Sequence, residues 1–121
     1  MTITGDAILK DEFVLEKLVK PVQEGKASVA YARQIPNDQA NIISKYGRFF
    51  SYPPESNIRG IEDVDKYGTY TAFCSDACCA WLQKDLDEIG GFRWTLSAED
   101  AIAASMLVKK GHKVAYVAEA E

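Results

Sequence analysis

The apolar residues of the chain recur with two spacings, one typical of helices and one typical of strands. The helical spacing predicts four helices, at residues 11–25, 37–52, 77–91 and 97–111. Short β-prone runs predict four strands, at residues 1–4, 27–34, 69–76 and 112–121. In the second strand Val29 and Tyr31 share one face, which we expect to point into the core.

The order of these elements predicts an α/β fold with a mixed, mostly parallel sheet flanked by helices. Residues 53–68 are polar and rich in turn-forming residues, which predicts a long surface loop. Asn37 or Asp38 is expected to cap the second helix. No repeat or linker divides the chain, so residues 1–121 are expected to form a single domain.

The composition is that of an ordinary globular protein. Of the 121 residues, 47% are hydrophobic and 26% are charged, and the formal net charge is −4. No basic cluster is present, so a nucleic-acid partner is not expected. No apolar run approaches the ~20 residues that span a bilayer, and no signal peptide is evident.

The three cysteines lie close together in the sequence, at Cys74, Cys78 and Cys79. Their odd number and tight spacing favour reduced, buried side chains in a cytosolic protein. A metal site built on them is disfavoured, because no second ligand pair follows and the single histidine, His112, comes directly after a helix-ending glycine. We therefore expect His112 to be a surface residue.

Two carboxylates, Glu99 and Asp100, stand at the predicted start of the last helix, in the stretch WTLSAED. Ser97 is a good N-cap residue, and acidic side chains in a first helical turn complement the helix dipole. Helix capping therefore explains this pair on local grounds. The alternative is that the carboxylates take part in chemistry, which requires support from the rest of the chain.

That support comes from several motifs, which occur in one order along almost the whole chain: TGDAIL, YARQIPN, FFSYPPES, FCSDACCAW, DEIGGF, AEDAIAASMLVKKGHKVAY and AEAE. With them the chain resembles the family 2 glycosyltransferases, and within these the bacterial rhamnosyltransferase-like group. The resemblance implies the GT-A fold of nucleotide-diphospho-sugar transferases. It also implies that residues 1–121 are a partial domain, the catalytic and acceptor half, cut at both ends.

The resemblance implies a reaction in which a sugar passes, with inversion, from a nucleotide-sugar donor to a saccharide or lipid-linked acceptor. Rhamnose from a dTDP donor is one candidate. A divalent cation, Mg²⁺ or Mn²⁺, is expected to bind the diphosphate, with Asp6 as its protein ligand. Asp100 is expected to be the catalytic base, with Glu99 beside it in the family's ED motif. The family commonly has Asp-x-Asp at the metal site, whereas this chain has Thr4-Gly5-Asp6.

The resemblance also implies seven donor- or acceptor-binding positions: Arg33, Gln34, Ser75, Asp76, Gly90, Gly91 and Trp94. Each has a structural alternative that the sequence leaves open. The two glycines can simply end a helix, and Arg33 can form a surface pair with a glutamate. Ser75 and Asp76 can serve local hydrogen bonds, and Trp94 can be a core or rim residue.

A second hypothesis is a non-catalytic α/β binding module that keeps a glycosyltransferase-like shell. By itself the 121-residue chain is expected to be inactive in transfer and to bind nucleotide sugars poorly. It is expected to form a homodimer through an exposed sheet edge or exposed helix faces. The expected location is the cytoplasm, or the inner face of the membrane for the longer protein.

Overall fold

The computed structural model describes residues 1–37 and 39–121. The five strands are β1 (Thr2–Ile3), β2 (Val29–Ala32), β3 (Asn57–Arg59), β4 (Cys78–Trp81) and β5 (Val114–Val117). The five α-helices are α1 (Val14–Gln23), α2 (Ile42–Ser51), α3 (Val64–Tyr67), α4 (Gln83–Glu88) and α5 (Glu99–Lys109). Two 3-10 helices lie at Ile61–Asp63 and Gly68–Ala72. None of the described helices has the length and apolar character needed to span a bilayer.

The strands form one sheet in the order β1-β4-β2-β5-β3. Strands β2 and β5 are parallel, whereas β4 pairs antiparallel with both β1 and β2, and β3 pairs antiparallel with β5. The predicted α/β class and the mixed sheet are confirmed. The prediction that the sheet is mostly parallel is wrong, since among the described residues one of the four strand pairings is parallel.

The two faces of the sheet carry side chains of different size. In β2, Val29 and Tyr31 point to one face, as predicted, and pack with α5, α4 and the Gly68–Ala72 turn. Ala30 and Ala32 point to the opposite face, where α1 covers them. Small side chains on this second face let the α1 helix approach the sheet closely. The helices and the sheet thus form three layers around two apolar clusters.

The segment from residue 69 to residue 91 departs most from its predicted structure. The predicted strand at 69–76 is a 3-10 helix followed by an irregular stretch, and the predicted helix at 77–91 begins with strand β4. Cys78, Cys79 and Ala80 are all buried in the sheet. A short, wholly apolar run of this kind fits a buried strand and a buried helix equally well, so periodicity alone misassigned it.

The predicted loop at 53–68 also contains regular structure. It supplies the edge strand β3, the Ile61–Asp63 turn and the short helix α3. At the end of β3 the Arg59 side chain turns inward and is only 3% exposed. Its guanidinium donates to the hydroxyl of Tyr31 (2.8 Å) and to the carbonyl oxygens of Phe73 (2.9 Å) and Tyr70. Arg59 therefore fixes the path of the chain that leads into residues 74–76.

Helix α2 has an unusual environment, because none of its residues is buried. Its cap is Asn41, whose side chain accepts from the Ser44 amide at 2.9 Å, so the prediction of Asn37 was wrong. The alternative prediction, Asp38, lies outside the described residues. Five large apolar side chains of this helix are exposed: Ile42, Ile43, Tyr46, Phe49 and Phe50. We call this set the apolar face of α2.

Candidate functional site

The candidate site lies where the parallel strands β2 and β5 end, which we call the carboxyl edge of the sheet. Two backbone hydrogen bonds bring separate segments together there. The amide of Arg33 donates to the carbonyl of Ala120 at 2.7 Å, and the amide of Thr4 donates to the carbonyl of Ala77 at 3.2 Å. Open α/β sheets commonly bind ligands in the crevice outside the carboxyl ends of their strands.

Asp76 and Asp100 meet at this edge although 24 positions separate them. The backbone amide of Asp76 donates to Oδ2 of Asp100 at 3.1 Å. The carboxylate of Asp76 in turn accepts from the hydroxyl of Thr2 (2.9 Å) and from the indole nitrogen of Trp81 (3.1 Å). The site thus joins β1, β4 and the start of α5 through side-chain hydrogen bonds.

The pKa of Asp76 is raised above the ordinary value of an aspartate. Burial is the largest cause, because it removes water from the carboxylate. The hydrogen bonds from Thr2 and Trp81 act in the opposite direction, and the nearby charges of Asp100 and Glu99 raise the pKa further. A half-buried carboxylate that faces two like charges is typical of functional sites, although structural networks also produce it.

The two carboxylates of the ED motif have different environments. Glu99 is exposed, whereas Asp100 is partly buried and is held by the amide of Asp76 and by its neighbour's amide, Ala101 N, at 2.7 Å. The predicted cap, Ser97, is wrong: α5 starts at Glu99, and its N-cap position is Ala98, in the left-handed region with φ 63°. The Ser97 backbone is engaged by the Thr95 side chain instead.

Ser75 and Gln34 also lie at the carboxyl edge and contact each other. The side-chain amide of Gln34 donates to Oγ of Ser75 at 2.6 Å. Tyr52, at the end of α2, is hydrogen-bonded to Ser75, and this bond lowers a Tyr52 pKa that burial raises more strongly. The structure therefore brings together three of the residue positions predicted for donor or acceptor binding, namely Gln34, Ser75 and Asp76.

Arg33 lies at the same edge, and its charge is already paired. Its guanidinium is 3.0 Å from Oε1 of Glu121, and its Nε donates to the carbonyl of Tyr52 at 3.3 Å. Lys10 forms a second ion pair with Glu121. The Arg–Glu pair that the sequence left open is therefore present. Binding of a phosphate by Arg33 would require competition with Glu121.

Gly90 and Gly91 follow α4 and both have positive φ, 83° and 75°. The amide of Gly91 donates to the carbonyl of Leu86 at 2.9 Å, which is typical of a glycine-terminated helix. The turn directs Phe92 edge-on against Trp81, with ring centroids 5.0 Å apart. Since Trp81 donates to Asp76, the glycine turn supports the candidate site indirectly.

Trp94 and Asp6 are the most peripheral of the predicted site residues. Trp94 is 91% exposed in the stretch before α5. Asp6 is exposed in a turn closed by the amide of Ala7 and the carbonyl of Thr4 (3.1 Å), next to the Thr4–Ala77 contact. Among residues 1–37 and 39–121, no hydrogen bond or ion pair engages the Asp6 side chain, which leaves its oxygens available to a ligand.

Among the residues that the structure describes, Asp6 is not part of a group of side chains that converge as metal ligands. Within the described part of the chain, one set of His, Cys, Asp and Glu side chains converges closely enough to share a cation, and it lies elsewhere. Asp6 provides hard oxygen donors of the type that Mg²⁺ and Mn²⁺ prefer. A single carboxylate fits a cation that arrives with its own phosphate ligands better than one held by the protein alone.

The converging set is Asp85, Glu88 and His112, which sequence reasoning did not identify. It lies at the opposite, amino edge of the sheet, where β2 and β5 begin. The His112 Nδ1 atom lies 2.9 Å from Oγ of Ser28, and its Nε2 atom lies 3.1 Å from Oε2 of Glu88. The imidazole is partly covered rather than a plain surface group, so the prediction of a surface residue holds only in part. The i, i+3 spacing of Asp85 and Glu88 was visible in the sequence and indicates two carboxylates on one side of a helix.

The three cysteines are free and buried, as predicted. The Cys74 and Cys79 sulfurs are 3.3 Å apart, and burial raises the pKa of Cys79 well above its ordinary value. Buried thiols with raised pKa values are poor nucleophiles at neutral pH. Cys74 and Cys79 belong to the apolar cluster on the α5 side of the sheet, and Cys78 belongs to the cluster on the α1 side.

Comparison with known proteins gives two sequence relatives. The chain is 34% identical over 119 residues to the O-antigen chain rhamnosyltransferase RfbN of Salmonella typhimurium, and 31% identical over 119 residues to the O-antigen chain rhamnosyltransferase WbaN of Salmonella anatum. Each alignment covers 98% of this chain and 38% of the relative. No protein-family profile matches the chain, and no solved structure matches it. The alignments support a relationship between this chain and glycosyltransferases, over a segment that corresponds to about two-fifths of each relative.

Proposed function

We propose that this chain is the catalytic, acceptor-side part of a metal-dependent, inverting glycosyltransferase with a GT-A fold. The observation that carries the proposal is the alignment of nearly the whole chain with two proteins named as rhamnosyltransferases. The five-stranded mixed sheet with helices on both faces is compatible with part of such a domain. The carboxylates Asp76 and Asp100 at its carboxyl edge supply the groups that the reaction needs.

In the proposed reaction Asp100 is the base. The proton of the acceptor hydroxyl passes to the Asp100 carboxylate while the hydroxyl oxygen attacks the anomeric carbon of the sugar. The bond between that carbon and the diphosphate oxygen breaks, and its electron pair leaves with the diphosphate. Because Asp100 lies in the first turn of α5 and is held by the Asp76 amide, its carboxylate keeps one orientation during the transfer.

The other predicted residues bind and orient the reactants. A divalent cation, when bound, would neutralise the charge that develops on the diphosphate, and Asp6 is its proposed protein ligand. Gln34, Ser75 and Asp76 would contact the sugar or the acceptor. The exposed Trp94 offers an aromatic face for sugar stacking, at the end of the glycine turn.

The proposed donor is a nucleotide sugar, with dTDP-rhamnose as the first candidate, and the proposed acceptor is a saccharide or a lipid-linked saccharide. The names of the two relatives favour a place in O-antigen synthesis. The proposed location is the cytoplasm, at the inner face of the membrane where a lipid-linked acceptor would be available.

The test is single-turnover transfer by the protein that contains this chain, with the variant Asp100→Asn. We expect the rate to fall at least about a hundredfold, because the asparagine amide cannot accept the proton. Stability should change by about 1 kcal/mol or less, since an asparagine oxygen can still accept one of the two amide hydrogen bonds.

The matched control is Asp87→Asn, which removes an exposed carboxylate on α4 whose partner is Gln83 at 2.7 Å. This control should keep the wild-type rate. If Asp100→Asn transfers within about threefold of the wild type, the carboxylate is not the base and serves only the start of α5.

A further inference from the structure

We propose that Asp85, Glu88 and His112 form a binding site for a divalent transition-metal ion, with zinc as the best match. The site lies at the amino edge of the sheet. The candidate transfer site lies at the carboxyl edge, so strand β2 separates the two. The proposal is independent of the function proposed above, because it uses none of the same residues.

The three ligand groups converge from elements with well-defined backbones. Asp85 and Glu88 are one helical turn apart on α4, which places both carboxylates on one side of the helix. His112 follows Gly111, whose positive φ of 91° ends the turn after α5 and leads the chain into β5. One ligand atom from each of the three residues lies within 4.8 Å of the other two. Nδ1 of His112 faces Asp85 and Nε2 faces Glu88, so one ion bound by all three residues requires the imidazole or a carboxylate to rotate.

The burial and contacts of the cluster support a bound cation. Asp85 is only 7% exposed. Its Oδ2 atom lies 3.4 Å from Nδ1 of His112. The hydroxyl of Ser28 donates to the same carboxylate and orients it, as partners behind metal ligands commonly do. The competing cation at Glu88 is Lys110, at 3.0 Å, in an exposed ion pair of the kind that contributes little stability.

The donor set indicates which metals fit. One imidazole nitrogen and two carboxylate oxygens suit zinc and its neighbours in the transition series, whereas Mg²⁺ prefers oxygen ligands throughout. Three protein ligands leave a fourth position of a tetrahedral site open. An open depression of about 620 Å³ reaches Ser28, Asp85 and His112, so water or a small anion can occupy this position.

The test is calorimetric titration of the untagged chain, stripped with EDTA, with Zn²⁺ alone. We expect one equivalent to bind, and we expect the affinity to fall at least about tenfold in Glu88→Gln and in His112→Gln. The control variants are Asp87→Asn, one position from Glu88 on the same helix, and Asp100→Asn at the other edge. Both should bind Zn²⁺ as the wild type does.

A second measurement uses Co²⁺ as a spectroscopic probe and covers the case in which His112→Gln fails to fold. Glu88 is exposed, so Glu88→Gln should fold normally and should weaken the visible absorption of bound Co²⁺. No Zn²⁺ binding at submillimolar concentrations would overturn the proposal. So would equal binding in Glu88→Gln and the wild type, or binding that Cys78→Ser abolishes.

Discussion

Replacing the buried Arg59 by methionine tests how the segment leading into the candidate site is held in place. The Arg59 guanidinium donates to Tyr31, Tyr70 and Phe73 and lies over the Tyr31 ring at 5.5 Å. Methionine has a similar length but no donor. We expect Arg59→Met to lower the free energy of unfolding and to loosen residues 74–76.

The size of the effect follows from the groups that lose their partners. The carbonyl of Phe73 becomes unsatisfied at about 1–3 kcal/mol, and the hydrogen bonds to Tyr31 and Tyr70 are lost at about 0.5–1.5 kcal/mol each. The carbonyl of Tyr70 keeps the amide of Phe73 as a donor, at 3.1 Å. The loss is offset in part, because the Nε of Arg59 is buried without a partner and its removal restores about 1–3 kcal/mol. The expected net destabilisation is about 2–3 kcal/mol, a large share of the stability of a small domain.

Urea denaturation measures this difference directly, because the slope reports whether the variant unfolds as a similar cooperative unit. Arg93→Met is the matched control, since Arg93 is exposed and should change stability by no more than about 0.5 kcal/mol. A destabilisation of Arg59→Met below about 1 kcal/mol would refute the argument. It would mean that water replaces the guanidinium at both carbonyls without cost.

Two further predictions concern the carboxyl edge and the apolar face of α2. Because burial raises the folded-state pKa of Asp76, the charged carboxylate destabilises the fold as the pH rises through that pKa. Asp76→Asn should therefore gain unfolding temperature relative to wild type between about pH 3 and pH 7, and a relative loss over that range would contradict the assignment. The chain is also predicted to associate, most simply as a homodimer. Light scattering at low micromolar concentration should show Ile43→Lys with Phe50→Lys as a smaller species than wild type, whereas a monomeric wild type would refute association.

The elements that the sequence predicted well are those with a distinctive local pattern of residues. The alternation of Val29 and Tyr31 with small residues identified β2, and the glycines at positions 90 and 111 marked the ends of α4 and of α5. The strand at Cys78–Trp81 was missed because its run of small apolar residues lacks the alternation of large and small side chains that marks β2. The apolar spacing at residues 37–52 predicted helix α2, and the structure leaves the apolar side chains of that helix exposed.

The candidate site was predictable from motifs but not from spacing. Asp76 and Asp100 are brought together only by the packing of α5 against the sheet, and it was the family resemblance that singled out both positions. The cluster around His112 was even harder to predict from the sequence than the candidate site. Ser28 is 84 positions from His112, and no local pattern signals a contact formed by the pairing of β2 with β5.

The pairing of β2 with β5 also has a consequence for how the chain is made. Strand β2 leaves the ribosome before both of its partners, β4 and β5, and strand β3 is synthesised between β2 and β4. The edge strand β3 pairs with β5, so it also has no partner until β5 has been synthesised. Until residue 117 is available, β2 and β3 therefore remain open to non-native pairing. Ribosome-bound chains that stop before β5 should be more sensitive to protease than ribosome-bound chains that include β5.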